Sequence, residues 1–483
     1  MGKLCIKAVL FMSVYLTVLL TLLFFFKIRF LYIYIASNIF YMQWGTHAVF
    51  NNKSYLVPFI SFIVPLPFLG FLIFIMLKRT TIVTNFHHYP TLKPEAFIYD
   101  KNNEEDEIFR RLHLISGKTV RKNETEIEVL RNGDAFFPRL FSLVEQAESY
   151  IFMEFAIFKT DKTGRRLLEL LNEKGKAGVE VKIIFDGIIT KKKFRDQKFI
   201  ESLKFIKINI FTKLKNNYLR TGTNFRFHRK ICVIDSKFGL VCGFNVANEY
   251  LYPSKRFNYC RDSGVLVKGL IINELLEVFK KDWYYLSKEI LNPSVEIVEV
   301  NGLNNCIFLE SGPDGNKKKI KHSYLEMISF ARREIRIATP YLVPDDSLIR
   351  ALFIAAERGC RIKILVPGKA DKILVNQVTK AYYSTLLKAG IEIFEYNEVF
   401  VHSKLLIIDN LVVSVGSANF DMRSMDTNFE STLVFCGPKV QEFYRDFEHD
   451  LLLSDKIDLS EYNKSSFFIK QLRSFLRAFS SFC

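Results

Sequence analysis

Two stretches of this chain share a pattern of residue types suited to chemistry on an anion. The first begins at His228 and reads HRKICVID; the second begins at His402 and reads HSKLLIID. Each is H-x-K-x4-D, giving His228, Lys230 and Asp235, then His402, Lys404 and Asp409, 174 residues apart. An asparagine follows each at the same offset, Asn245 and Asn419 lying 17 residues after their histidines. With average residue usage, three specified residues recur by chance on the order of 10^-4 per starting position. Two copies with matching asparagines are poorly explained by accident. An imidazole can attack an electrophile or carry a proton, and an ammonium group can hold a phosphate oxygen. A lone histidine on a strand is more often a structural residue. The duplication points instead to one active site assembled from two halves.

Each motif falls on an apolar run with the character of a strand. Alternation along FRFHRKICVID puts His228 and Lys230 on one face, and His402 and Lys404 repeat this. Side by side, two such strands aim two imidazoles and two ammonium groups into one cleft. Unpaired, such a cluster is costly, and an anionic ligand removes that cost. Asp235 and Asp409, also candidates for the site, come at the strand ends. They are expected to hold the following turn rather than touch phosphate.

Around the motifs, strand-like and helix-like segments alternate. Residues 150–158 read as a buried strand, 163–176 as a helix through Leu167, Leu168, Leu170 and Leu171, and 179–185 as a second strand after Gly178. The order returns as strand 334–339, helix 347–358, Gly359 and strand 361–366. Asp161 then aligns with Asp345 and Gly178 with Gly359. The period far exceeds that of solenoids, so this is a duplicated α/β domain, with lobes at 127–295 and 303–455. Residues 80–126 read as a linker with a short helix. Gly117-Lys118-Thr119 is no phosphate-binding loop, because the glycine that motif needs is replaced by Leu112.

The duplicated H-x-K-x4-D followed by G-[SG]-x-N resembles the phospholipase D superfamily, and within it the bacterial cardiolipin synthases. The resemblance covers 127–455 and two N-terminal apolar spans. The stretch VHSKLLIIDNLVVSVGSANFDMRSMDTNFE carries Gly416, Ser417, Asn419, Asp421, Arg423, Ser424, Asn428 and Glu430. ATPYLVPD at 338–345 and NVANEY at 245–250 also resemble synthase segments. The first turn departs from the pattern: it reads C-G-F-N, so Cys242 replaces a glycine and Gly243 stands opposite Ser417.

That resemblance implies two phospholipase D-like α/β/α lobes sharing one active site. It implies that one histidine, here His228, attacks phosphorus to form a phosphatidyl-histidine. The other, His402, protonates the leaving oxygen and then deprotonates the incoming hydroxyl. Lys230, Lys404, Asn245 and Asn419 would hold the non-bridging oxygens, with Ser417 adding a hydrogen bond in the second half only. A histidine also needs a group to fix its tautomer. Matched acids open matching strands, Asp262 in DSGVLV and Glu430 in ESTLVF, and are the expected orienting residues. The scheme requires no metal, because lysines supply the charge. It requires no nucleotide cofactor, because one phosphodiester replaces another of similar energy.

Composition bears on the partner. The 483 residues carry Lys+Arg 68 against Asp+Glu 51, a net charge of +17, which favours an anionic partner. Residues 8–26 are an uncharged run of the length that crosses a hydrocarbon core of ~30 Å. A second apolar span, 56–77, follows. Lys3, Lys7, Lys78 and Arg79 favour placing both ends in the cytoplasm. The expectation is a multi-pass protein of the bacterial cell membrane. Residues 1–79 would form the membrane region with two transmembrane helices, with the catalytic lobes on the cytoplasmic side. Eight scattered cysteines lack C-x-x-C spacing, which argues against a zinc site and for a reducing compartment. Residues 464–483 read as a basic amphipathic helix, either interfacial or packed on the core. The expected substrate is an anionic phospholipid, phosphatidylglycerol, at a membrane, with no nucleic acid partner. The rivals are a phospholipase D hydrolysing to phosphatidic acid, a nuclease, and a binding protein with a decayed site.

Overall fold

The computed structural model describes residues 93–464 except 191–195, 212–224, 254–257, 297, 314–317 and 370, together with scattered positions between 466 and 477. The spans expected at 8–26 and 56–77 lie outside the described residues. Among the described residues no helix is long and apolar enough to cross a membrane.

The described chain begins with α1 (Glu104–Ser116) and β1 (Val120–Lys122). The first lobe runs β2 (Thr125–Arg131), α2 (Asn132–Gln146), β3 (Tyr150–Phe155), α3 (Lys162–Lys176), β4 (Glu180–Asp186), α4 (Gly187–Thr190), α5 (Gln197–Ser202), β5 (Lys207–Phe211), β6 (Ile231–Ile234), β7 (Phe238–Cys242), β8 (Cys260–Arg261), β9 (Ser263–Gly269) and α6 (Ile272–Ser287). The second runs β10 (Asn305–Ser311), α7 (Lys319–Phe330), β11 (Glu334–Ala338), α8 (Asp346–Glu357), β12 (Arg361–Pro367), α9 (Ile373–Lys388), β13 (Glu392–Tyr396), β14 (Phe400–Val401), β15 (Leu405–Ile408), β16 (Val412–Gly416), α10 (Met422–Asp426), β17 (Glu430–Cys436), α11 (Val440–Leu452), β18 (Ser454–Lys456) and α12 (Leu459–Asn463).

Sheet order exposes the duplication. The first sheet is β2-β9-β7-β6-β3-β4-β5 and the second contains β10-β17-β16-β15-β11-β12-β13, the same order strand for strand. In both, the strand after the first helix pairs in parallel with its successor, and the motif strand pairs antiparallel to it. The second sheet gains β1 and β18 at its edges. Local chemistry repeats too. Asp161 caps α3 by accepting from the Gly164 amide, and Asp345 caps α8 by accepting from Leu348. Gly178 (φ 99°) and Gly359 (φ 90°) then make the left-handed turns into β4 and β12 that other residues adopt only under strain.

Three apolar cores account for strands buried on both faces. One packs α2 and α3 on the outside of the first sheet, and a second packs α1, α7, α8 and α9 on the outside of the second. The third lies between the sheets and takes apolar residues from α6 and α11 and from both sheets, including Phe152 stacked on Phe279 at 4.8 Å. Strands with both faces covered read as near-continuous apolar runs rather than alternating ones, as β3 and β15 do. Fully burying one such phenylalanine contributes roughly 1.5–3 kcal/mol, so the central core ties the lobes together.

Within 80–126, read as a linker with a short helix, residues 104–122 form α1 and β1 and pack on the second lobe. Ile108, Phe109 and Leu112 of α1 are fully buried in the second core, and β1 pairs antiparallel with β10. A three-residue strand whose partner lies some 180 residues on leaves little local signal.

Candidate active site

Both motifs sit where the chain changes sheets. The His228 amide donates to the Phe429 carbonyl of the second lobe (2.9 Å). Two residues on, the Lys230 carbonyl accepts from Cys242 of its own lobe. His402 mirrors this: its amide donates to Arg261 O of the first lobe (2.7 Å). Residue pairs just before the motifs match as well, Phe227 bridging Phe429 and β14 pairing in parallel with β8. The histidines therefore stand in the extended segments entering β6 and β15, not within those strands. Phe211, Phe227 and Phe429 pack as a trio with centroids 5.5–5.6 Å apart behind His228.

This crossing explains how the orienting acids pair. His228 Nδ1 lies 2.9 Å from Glu430 Oε2, and His402 Nδ1 lies 2.5 Å from Asp262 Oδ2. Each acid serves the histidine of the other lobe, because the strand carrying it is the one that pairs with that histidine's segment. A carboxylate at Nδ1 makes that nitrogen the donor and leaves Nε2 with its lone pair free.

The supports of the two acids are unequal. Glu430 also accepts from Ser417 Oγ (2.5 Å), Ser424 Oγ (2.7 Å) and Asn428 Nδ2 (3.2 Å). Asp262 accepts from the Ser263 amide (2.8 Å) and faces Lys404 at 3.6 Å. Opposite Ser417 stands Gly243, where a Cβ would lie 2.1 Å from Asp262 Oδ1. The glycine leaves the room that the shorter acid occupies. Ser417 thus departs from the expected phosphate contact, since its buried hydroxyl is spent on Glu430 and the Ser431 amide.

Burial governs the charges. Burial is the larger influence on both lysines and both histidines and depresses all four. Lys230 falls to about 7, with the Glu430 charge opposing the shift. His402 falls to about 3, helped by the neighbouring Lys404 ammonium. Both acids remain below their usual range despite burial, Glu430 through His228 and Asp262 through Lys404 and His402. The site therefore holds neutral imidazoles and two carboxylates facing two lysines, rather than four clustered cations. Lys230 Nζ donates to the His228 carbonyl at 2.9 Å, and Lys404 Nζ to that of His402.

Asp235 and Asp409 leave the reacting centre altogether. Asp235 accepts from the amides of Glu148, Ser149 and Tyr150 at 2.7–2.8 Å, and Asp409 from Arg332, Arg333 and Glu334 at 2.7–2.9 Å. Each aspartate sits in the expected turn with positive φ, but its carboxylate clamps the loop that feeds the adjacent strand, β3 or β11.

Asn245 accepts from the Ile157 amide (3.2 Å) and donates to Tyr250 Oη (3.2 Å). Asn419 donates to Asp421 (3.1 Å), while its own carbonyl oxygen is buried without a hydrogen-bond partner among the described residues. Both asparagines and both histidines line one cleft of about 580 Å³, together with Tyr250, Tyr341 and Asp421. Such a volume fits a polar headgroup. Burial lifts Asp421 to about 6.

Sequence reading assigned no role to Tyr250, whose hydroxyl lies 3.2 Å from His402 Nδ1. The offset could have found it: Tyr250 follows Asn245 by five residues, as Ser424 follows Asn419. Arg229 was missed too. Fully buried, it faces away from the cleft, pairs with Asp282 and donates to the Glu430 carbonyl at 3.3 Å.

Two repeated lobes, each giving a histidine and an asparagine to one cleft with a buried lysine beside each histidine, define a phospholipase D-like protein. The family model described as cardiolipin synthase, PLD-like domain, matches residues 140–283 and 324–451. A cardiolipin synthase of Geobacillus sp. (strain WCH70) is 36% identical over 371 residues, 75% of this chain and 74% of that protein. Cardiolipin synthase 2 of Bacillus anthracis is 34% identical over 371 residues, 75% and 72% of the two chains. The chain belongs to the cardiolipin synthase family. The crystal structure of phosphatidylserine synthase from Haemophilus influenzae Rd KW20 shares the fold, with a TM-score of 0.57 at 14% identity over 79% of this chain and 100% of that one.

Proposed function

We propose that this enzyme is a phosphatidyltransferase that moves the phosphatidyl group of one phosphatidylglycerol onto the terminal hydroxyl of another, releasing glycerol. The observation that carries this is the crossed pairing of His228 with Glu430 and His402 with Asp262 around one cleft.

His228 Nε2 attacks phosphorus as the phosphorus–glycerol oxygen bond breaks, and His402 gives that oxygen its proton. The acceptor hydroxyl then loses its proton to His402 and displaces His228 Nε2. The donors around Glu430 spread its charge, so it stabilises an imidazolium less and keeps His228 a neutral nucleophile. Asp262 has fewer donors and better supports an imidazolium at His402. In the empty cleft Lys404 opposes that charge, and a phosphate anion beside Lys404 offsets the opposition. Lys230, Lys404, Asn245 and Asn419 hold the non-bridging oxygens as negative charge grows. The unpartnered Asn419 oxygen marks an amide whose orientation a ligand can set.

We further read 1–79 as a double span in the bacterial cell membrane, with the lobes facing the cytoplasm. This rests on sequence alone.

The test is incubation of the full chain with labelled phosphatidylglycerol and resolution of products by mass. The expected outcome is a dimeric lipid with free glycerol in equal amounts. Phosphatidic acid as the sole product would make the enzyme a hydrolase instead.

A further inference from the structure

We infer that the N-terminal turn of α9 is a lip that seats the cleft mouth on the lipid surface, with Ile373 and Leu374 entering the acyl boundary. This deepens the functional reading above and rests on it.

The placement follows from chain order. Asp371, Lys372 and Val375 line the cleft wall, so residues 373 and 374 between them stand at its edge. Ile373 is 70% exposed and Leu374 66%. Single exposed apolar residues are ordinary. An adjacent aliphatic pair on a rim, flanked by cations, has the composition of a surface-seating element. Lys369 and Lys372 are both exposed, and Lys372 lies over the Tyr341 ring at 5.4 Å.

Two further observations select an anionic lipid surface. Among the described residues no side chain caps the start of α9, which leaves its first-turn amides available to an anion. The C-terminal segment also docks on this helix: Arg473 donates to Gln377, one turn beyond Ile373, and Arg477 to Thr385. That segment brings half-exposed Ile469 and Leu472 along with its cations. Across the cleft, just past Glu249 and Tyr250, half-exposed Tyr252 sits under the Lys162 ammonium at 4.7 Å. A tyrosine with a cation is the pairing favoured at a headgroup boundary.

The lip solves a problem the cleft poses. A phosphodiester must reach the histidines while its acyl chains stay in an apolar medium. A mouth seated at the boundary lets the headgroup enter without lifting the chains into water.

The test uses the full chain reconstituted in phosphatidylglycerol vesicles. Ile373→Asp/Leu374→Asp is compared with the unaltered chain on bilayer substrate and on short-chain phosphatidylglycerol dissolved below its micelle concentration. Bilayer turnover is expected to fall about 10-fold or more, with short-chain turnover within about twofold; the latter also shows that the variant folds. Equal effects on both substrates, or none on either, would overturn the lip. Separately, the emission that Leu374→Trp adds to that of native Trp44 and Trp283 is expected to be quenched by lipids brominated on their acyl chains, and the emission added by Leu114→Trp, exposed on α1, is not. Quenching of Leu374→Trp by aqueous iodide alone would place the residue in water and also overturn it. No transfer by the unaltered chain on either substrate, with bromine quenching intact, would strike the functional reading and leave the lip standing.

Discussion

At the residue scale the site works through unequal supports. Glu430 is fixed by two serine hydroxyls and an asparagine amide, whereas Asp262 has a backbone amide and a lysine. Gly243→Ser would put a Cβ onto Asp262 and push that carboxylate off His402. Turnover is expected to fall about 100-fold or more. Ser417→Gly removes one donor from Glu430 and should cost about 1 kcal/mol, roughly fivefold. Steady-state rates of the two variants check this, and equal losses would contradict it. Lys230 gives a pH signature. In the proposed mechanism its protonated form holds the phosphate, and in the empty site burial keeps it near 7. As pH climbs past about 7 the free enzyme loses that charge, so kcat/KM should fall. A bound anion raises the lysine, so kcat should hold to higher pH. A kcat/KM flat to about pH 9 would contradict this assignment.

At the element scale, strands change partners within three residues, and that places each histidine beside the other lobe's acid. The motif aspartates lock this geometry from a distance. Asp409→Ala would take the acceptor from three amides, those of exposed Arg332 and Arg333 and half-buried Glu334, and is expected to cost about 2 kcal/mol of stability. A lowered Tm with kcat per folded molecule within about threefold would place Asp409 in the scaffold. Loss of kcat at unchanged Tm would put it back in the reaction. Much of this level was legible in the sequence. The repeated order of strand, helix, glycine and strand, with aligned Asp161 and Asp345, appears in the fold with boundaries within three residues. Long strands and leucine-rich helices announce themselves because their burial is periodic or continuous. Three things left no such signal. Pairing of β1 with β10 depends on a distant partner. Diversion of Ser417 from phosphate to Glu430 depends on side-chain reach. The Asp235 clamp acts on a neighbouring loop rather than on its own turn.

At the scale of the whole molecule, the duplication explains why one site needs both lobes. Neither half contains both a histidine and the acid that orients it. The apolar core between the sheets holds them in register, and buried Arg229 ties the first motif to the backbone of Glu430. Membrane attachment belongs to this scale as well, since residues 1–79 and the lip of α9 would both direct the cleft to lipid. The most direct measurement is capture of the covalent intermediate. The full chain is mixed with phosphatidylglycerol labelled at phosphorus, quenched within one turnover under conditions that preserve phosphohistidine, and mapped by peptide. The expected result is label on His228 that accumulates in His402→Ala and is absent from His228→Ala, with neither variant turning over. Label on both histidines, or about half the normal rate in each variant, would mean two independent sites and would contradict a single phosphorus held between the lobes.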